Sequence, residues 1–421
     1  MKINDAVKQT DGMIDFTKEV FNDLNTFSCH HDIGILYNGM TEKHMANTLK
    51  DYHDVVHSIH SDSGGLQIAQ QGKTLTSELE DKIYATQLAG SHVAMSFDFI
   101  PIKVIAPGDP RTNMEIKRFI HTEVDDYGKK SGECVRRQLE YFATHDNIYN
   151  TSPLIILHGN SQEDYKRYFD ALIKEIPEEY YPFIGGYALA GTGIGIGQLE
   201  AVDSIYSFDM VDKPDEIKKR IHFLGYGSIS RLIPVITAYE NGILSDYYVS
   251  YDSTSHTSGF VYGRMLGEEG DTLSVGMIPH NAKAKDIFGK VYDAYENIIA
   301  KHLEVTRDEW IKYTTKDLTS SARYKGNDIS AKCNTAGAVL AGAWSVKNFI
   351  KSVDVVIDDF ENIQNIGNIK NYPVFKCLLE CKTGHDWFNN YRGQVDKYLD
   401  SKRIKRVASL EEVITLEHLF G

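Results

Sequence analysis

Three acids stand out for where they fall in the chain. Asp62 ends the run Ser58-Ile59-His60-Ser61, Asp98 follows His92-Val93-Ala94-Met95-Ser96-Phe97, and Asp252 follows Asp246-Tyr247-Tyr248-Val249-Ser250-Tyr251. Carboxylates in different surroundings divide labour, because burial and neighbouring charge push their proton affinities apart: one stays ionised while another carries a proton. An ionised carboxylate suits attack at an anomeric carbon, whose oxocarbenium-like transition state needs negative charge beside it. Acids also bind guanine-like N–H edges or metals, and spacing alone leaves these uses open. Ser63, Gly64, Gly65 and Leu66 follow Asp62. Paired glycines let backbone approach a ligand closely, although Asp-Ser-Gly-Gly is equally good turn chemistry. Other chemically useful residues close apolar runs in the same way: Asn38 after Ile33–Tyr37, His158 after Pro153–Leu157, Gly191 in the glycine-rich stretch 190–197, and Gly225 after Ile221–Leu224.

The elements that must position these residues read as continuously apolar strands alternating with amphipathic helices, the pattern of a parallel sheet covered on both faces. One helix carries Leu75, Leu79 and Ile83 at four-residue spacing, with Ser77 and Glu80 placed for a capping box; another carries Tyr165, Phe169, Leu172 and Ile176. A loop with Pro101, Pro107 and Pro110 precedes a helix with Val135, Leu139 and Phe142 on one face. Seven strands can be counted, with an eighth expected before Ile33, so the predicted fold is α/β: a (β/α)8 TIM-like barrel over residues 1–304. In such a barrel the strand carboxyl ends share one mouth. Residues 305–421 read as a helical carboxyl-terminal appendage.

Composition narrows the function classes. The 421 residues are 42% hydrophobic and 25% charged, an ordinary globular balance. The polar start, Met1 to Phe16, lacks a signal-peptide core, and no apolar run reaches membrane-spanning length, so the expected location is cytoplasmic, with no membrane partner. Five scattered cysteines argue against a disulfide framework. Cys377, Cys381 and His385 stand one helical turn apart as weak candidate zinc ligands, with Cys333 as a fourth; core packing is the plainer use of these cysteines. The net charge of −14 disfavours loose binding to polyanions. Any nucleic acid must meet local basic strips, for which the candidates are Lys129, Lys130, Arg136 and Arg137, then Lys218, Lys219 and Arg220, then Lys402, Arg403, Lys405 and Arg406.

Taken together, the strand ends resemble tRNA-guanine transglycosylases. Ser61-Asp62-Ser63-Gly64-Gly65-Leu66-Gln67 is similar to that family's Asp-Ser-Gly-Gly-aromatic-Gln motif, and Ser96-Phe97-Asp98 to its Phe-Asp-Glu segment. His158-Gly159 stands where the family has Gln-Gly, and Gly186–Gly191 resembles its glycine-rich base-binding strand. Phe223-Leu224-Gly225-Tyr226-Gly227 resembles Leu-Met-Gly-Val-Gly, and Tyr251-Asp252 resembles the Phe-Asp bearing the nucleophile. The resemblance implies Asp252 as nucleophile at C1′ and Asp62 as acid/base. It implies Asp98 on the N1–H and 2-amino edge of the base, Gly191 and His158 near O6, and Leu66 and Leu224 against its two faces. Ser63, Gly64, Gly225 and Asn38 would complete the pocket.

Two departures, the lost Pro-Thr-Arg after Asp252 and the lost Cys-x-Cys-x-x-Cys zinc motif, point to the phage and bacterial branch that acts on DNA. That branch exchanges guanine for a 7-deazaguanine such as 7-cyano-7-deazaguanine, related to queuosine chemistry. It implies guanine-containing DNA and a free deazaguanine as partners, no required cofactor, and an open oligomeric state, a homodimer among the options. A tRNA enzyme and a non-catalytic transglycosylase-like subunit are the alternatives, and a third, an unrelated barrel hydrolase acting on sugars, would explain the acids but not the ordered glycine motifs.

Overall fold

The computed structural model describes residues 11–27, 31–40, 49–65, 68, 74–109, 114–190, 198–253, 264–268, 272–274, 282–314, 329–360, 362 and 373–397. Its centre is one seven-stranded sheet whose strands pair in parallel and in chain order. We number these strands β1 (Gly34–Asn38), β2 (Ser58–Asp62), β3 (Val93–Met95), β4 (Ser152–Leu157), β5 (Gly186–Leu189), β6 (Arg220–Phe223) and β7 (Tyr248–Tyr251). Helices Ser77–Leu88, Val124–Thr144, Gln162–Ile173, Gln198–Asp209 and Ile229–Glu240 follow β2 to β6 in turn.

The sheet is strongly curled. The rings of His60 on β2 and His222 on β6 lie 5.3 Å apart, and His57, just before β2, stacks on Tyr248 of β7 at 5.8 Å. Four strand spacings in a flat sheet would hold β2 and β6 about 19 Å apart. The curl stops short of the closed eightfold barrel expected from the sequence. Among the described residues β1 and β7 do not pair, and the element before Ile33 is the helix Asp11–Phe27 in place of an eighth strand. Phe16, Val20, Phe21 and Leu24, all buried, fall on one helical face, a period that a strand could not bury. Side chains bridge the open seam: His31, ahead of β1, meets the Tyr251 ring at 6.1 Å and pairs with Asp354 at 3.1 Å, while Phe349 lies against Tyr251. Asp354 and Phe349 belong to the long helix Ile329–Asp358.

Strand alternation sorts the two faces. Outward residues Ile35, Tyr37 and Ile59 join a core cluster with Phe16, Val291, Trp310 and Trp344, which draws on helices from both sides of residue 304. Inward, Val93, Met95, Leu154, Ile156 and Ala188 make an apolar interior, joined by Leu36, Ala190 and Leu224. On β2, β6 and β7 the inward places are instead taken by His60, His222 and Ser250.

Two local expectations are corrected. The loop containing Pro101 and Pro107 is an antiparallel hairpin, Ile102–Asp109 with Met114–Phe119, whose register shifts on both sides of Ala106, an irregularity that accommodates Pro107 without a ladder donor. The helix Ser77–Leu88 is capped by Thr76, whose Oγ1 accepts from the Leu79 N–H at 3.3 Å, so no Ser77–Glu80 box forms. Glu80 is drawn elsewhere. It is buried and takes three bonds from the Arg137 fork at 2.9–3.2 Å, with Tyr84 Oη donating at 3.2 Å. Removing the guanidinium alone strands a buried carboxylate, so Arg137→Leu is expected to lower stability by about 2–3 kcal/mol. The double variant Glu80→Leu/Arg137→Leu should recover most of that loss in denaturant melts. A double variant no more stable than the single one would show that the pair contributes through more than satisfying Glu80.

Candidate active site

Parity along the strands builds the site. The residue two places beyond each last inward side chain is the next inward position, now above the sheet's carboxyl edge: Asn38 above Leu36, Asp62 above His60, His158 above Ile156, Leu224 above His222, and Asp252 above Ser250. Asp62 and Asp252 therefore stand at the same end of the sheet, at the termini of β2 and β7. Asp98 is set three residues past the end of β3. Its loop is held in place by the Phe99 N–H donating to Ser131 Oγ at 2.8 Å and by Tyr168 Oη, which reaches both Ser131 Oγ and the Phe99 carbonyl.

Asp62 is the titrating acid. Burial, then the charge of Asp98, raise its carboxyl to about 6, with Asp252 adding in the same direction; hydrogen bonds from the Gly64 and Ser63 backbone oppose the rise. The glycine pair is explained by what stands over it. A Cβ on Gly65 would lie 2.6 Å from Asp98 Oδ1, so only glycine lets this turn pass beneath the second acid. Ser63 is buried and its Oγ accepts from the Gly65 N–H at 3.3 Å, while Asn38 Oδ1 accepts from the Met40 N–H at 2.8 Å beside Gly64.

Asp98 and His158 form a buried pair. His158 Nε2 lies 2.6 Å from Asp98 Oδ2, and His158 is fully buried with its ring edge-on to Tyr168. Since the carboxylate only accepts, Nε2 carries the hydrogen. The side chain expected to meet a base oxygen is thus turned first onto Asp98 Oδ2. Its other nitrogen, Nδ1, has no hydrogen-bond partner among the described residues.

On the other flank, Asp252 Oδ1 accepts from the Gly225 N–H at 2.8 Å and faces His222 Nε2 at 3.3 Å. Gly225 has φ +75°, a left-handed turn that aims its N–H at the acid, and its carbonyl takes a 2.9 Å bond from Arg231 Nη1. His60, His222 and Arg231 were not among the residues singled out from sequence. The available signal was parity, since His60 and His222 each sit two places before a predicted mouth residue. Leu224 packs on the apolar interior at the foot of the site. Gly191 and Leu66 lie outside the described residues.

The candidate zinc ligands do not converge. Cys381 is buried in a cluster with Tyr206 and Trp387, and its thiol is pushed up to about 11, chiefly by burial. Cys333 belongs to a different core cluster, and among the described residues no group of three or more His, Cys, Asp or Glu side chains is arranged to hold a metal. Of the basic strips, Lys218, Lys219 and Arg220 sit at the amino end of β6, opposite the site, with Lys219 paired to Asp246 and Arg220 over the Tyr248 ring. Lys129 and Lys130 are exposed, Arg136 pairs with Glu140, and the cluster at 402–406 lies outside the described residues. Among the described residues no helix is long and apolar enough to cross a membrane.

No protein-family model matches the chain, and no curated protein matches it in sequence. The arrangement itself is that of an acid poised near neutral pH beside a second carboxylate fixed at one oxygen, with a third, histidine-paired acid between strands. Such a set can run a two-step displacement at an anomeric carbon with proton transfer to and from the departing group.

Proposed function

We propose that the chain is a guanine transglycosylase that exchanges guanine in DNA for a 7-deazaguanine base. The observation that carries this reading is the raised proton affinity of Asp62 between Asp98 and Asp252, in the strand-end order of the transglycosylase motifs. In the first step an oxygen of Asp252 bonds to C1′ while the C1′–N9 bond breaks, and protonated Asp62 gives its proton to the departing guanine. In the second, ionised Asp62 takes the N9 proton of the entering base, N9 bonds to C1′, and the ester to Asp252 breaks. Protons balance over the cycle, and the ester conserves the glycosidic bond's energy, so no cofactor is consumed. Asp98 Oδ1, the oxygen not held by His158, accepts from the N1–H and 2-amino edge. A guanine in duplex DNA must be flipped out to reach the mouth.

Base exchange with labelled guanine, run in parallel on duplex DNA and on tRNA, tests the substrate. Label entering DNA supports the proposal; label entering tRNA alone selects a tRNA enzyme, and label entering neither selects a non-catalytic subunit.

Asp98→Ala is expected to weaken binding of free guanine or a 7-deazaguanine by about 10- to 150-fold, the loss of one charged hydrogen-bond partner at 1.5–3 kcal/mol. The far-ultraviolet circular dichroism should be unchanged, because Asp98 lies in a loop beyond β3 that Ser131 and Tyr168 hold, although the loss of its bond to the buried His158 should lower stability. Calorimetric titration giving equal affinities would remove Asp98 from base recognition.

Binding to DNA should fall steeply with salt despite the net charge of −14, since only local cations meet the phosphates and each phosphate contact contributes a slope of about −0.9 in log K against log salt. A slope near zero would leave Lys129 and Lys130 as solvated surface.

A further inference from the structure

Among the described residues, His222 is the one buried histidine whose two ring nitrogens both meet side chains of β7 and its end, Ser250 and Asp252. The register pairs His222 with Ser250 across β6 and β7, and His222 Nδ1 lies 2.9 Å from Ser250 Oγ. Two residues on, Asp252 turns back over the edge to meet Nε2. The carboxylate can only accept, so Nε2 carries a hydrogen and donates. Nδ1 then faces a hydroxyl, which either donates or accepts. Ser250 Oγ also reaches the Ile221 carbonyl at 3.4 Å, so its hydrogen has a second acceptor when it is not directed at Nδ1. The imidazole is thereby held in one orientation whatever the state of Nδ1. Behind it, the buried His60 ring at 5.3 Å blocks a swing into the interior, and burial keeps His60 itself well below the usual imidazole range.

We propose that His222 is a positioning residue for the displacement. Its Nε2–H and the Gly225 N–H converge on the same oxygen of Asp252, Oδ1, and so fix the carboxylate plane and leave Oδ2 as the attacking atom. The inference rests on the reading of Asp252 as nucleophile. It goes beyond that reading in naming the group that orients it and the oxygen that reacts.

Two variants separate positioning from mere filling of the interior. The amide of His222→Asn reaches about where Nδ1 stands and can keep Ser250; that of His222→Gln reaches about where Nε2 stands and can donate to Asp252. In rapid-quench measurements of covalent adduct formation on guanine-containing duplex DNA, His222→Asn is expected to slow the step by about 10- to 100-fold, the scale of a small misplacement of a reacting group. His222→Gln should recover to within several-fold of the parent, and the dissociation constant for DNA should stay within about twofold in both, since His222 is 2% exposed and meets no phosphate. Independently of turnover, long-range nitrogen–proton NMR on the whole chain should show His222 protonated at Nε2, with that signal displaced in Asp252→Asn. Equal adduct rates in the Asn and Gln variants, or an imidazole protonated only at Nδ1, overturn the proposal while leaving Asp252 as nucleophile. A parent protein that forms no adduct on DNA or tRNA overturns the transglycosylase reading, and the role of His222 with it.

Discussion

Asp62→Asn is expected to slow base exchange by about 10²- to 10⁴-fold, the contribution of a positioned general acid–base, and to remove a limb of the pH–rate profile near pH 6. The limb follows from the carboxyl raised to about 6 by burial and by the charges of Asp98 and Asp252. At that value Asp62 is present in both forms near neutral pH, as one group serving a leaving base and an entering base requires. The same environment makes the ionised form a cost to folding. A pKa raised in the folded state means stability that is complete below the unfolded value, about 4 for Asp, and that is lost as pH rises through 6. Asp62→Asn should therefore match the parent's stability at pH 4 and exceed it above pH 6, a gain in stability at the expense of function. Exchange rates and denaturant midpoints across pH 4–8 check both halves. An unaltered pH–rate profile in the Asn variant would assign the proton to another group.

How far the sequence discloses this site depends on which contacts are local. Asn38, Asp62, His158 and Asp252 are readable because each directly ends or follows a short strand whose limits show in the chain. The missing eighth strand was misread because the helix Asp11–Phe27 mixes Asp, Lys and Asn among its apolar positions, and its period shows only once Phe16, Val20 and Leu24 are seen buried together. Glu80 looked like a capping residue because its partner, Arg137, is 57 residues away. His60 and His222 carry no local signal for the same reason. Nothing local distinguishes either from the other polar residues of its strand, and only the curl of the sheet brings β2 against β6. The link from Gly225 to Asp252 spans 27 residues and uses a backbone N–H, which side-chain types do not encode.

The second large effect concerns Asp252. Exchange without an energy source requires the sugar to be held while one base leaves and another enters, and the carboxylate at the end of β7 is the acid whose one oxygen is already fixed by Gly225 and His222. Asparagine at this position keeps the shape and an oxygen for the Gly225 N–H but cannot form the ester, so turnover should fall to background. DNA binding should persist, because the substitution leaves the exposed Lys129 and Lys130 unchanged. This differs from Asp98→Ala, whose largest effect should be on binding of the base, with the pH 6 limb of Asp62 shifted down because the charge of Asp98 is gone.

The most direct measurement is to incubate the protein with guanine-containing duplex DNA, denature it, and look for a protein–DNA species on a denaturing gel and by mass spectrometry of the peptide spanning β7. The expected result is an adduct at Asp252 that is discharged by added guanine or a 7-deazaguanine and is absent in Asp252→Asn. Base exchange persisting in Asp252→Asn, or an adduct mapped to another residue, would contradict it.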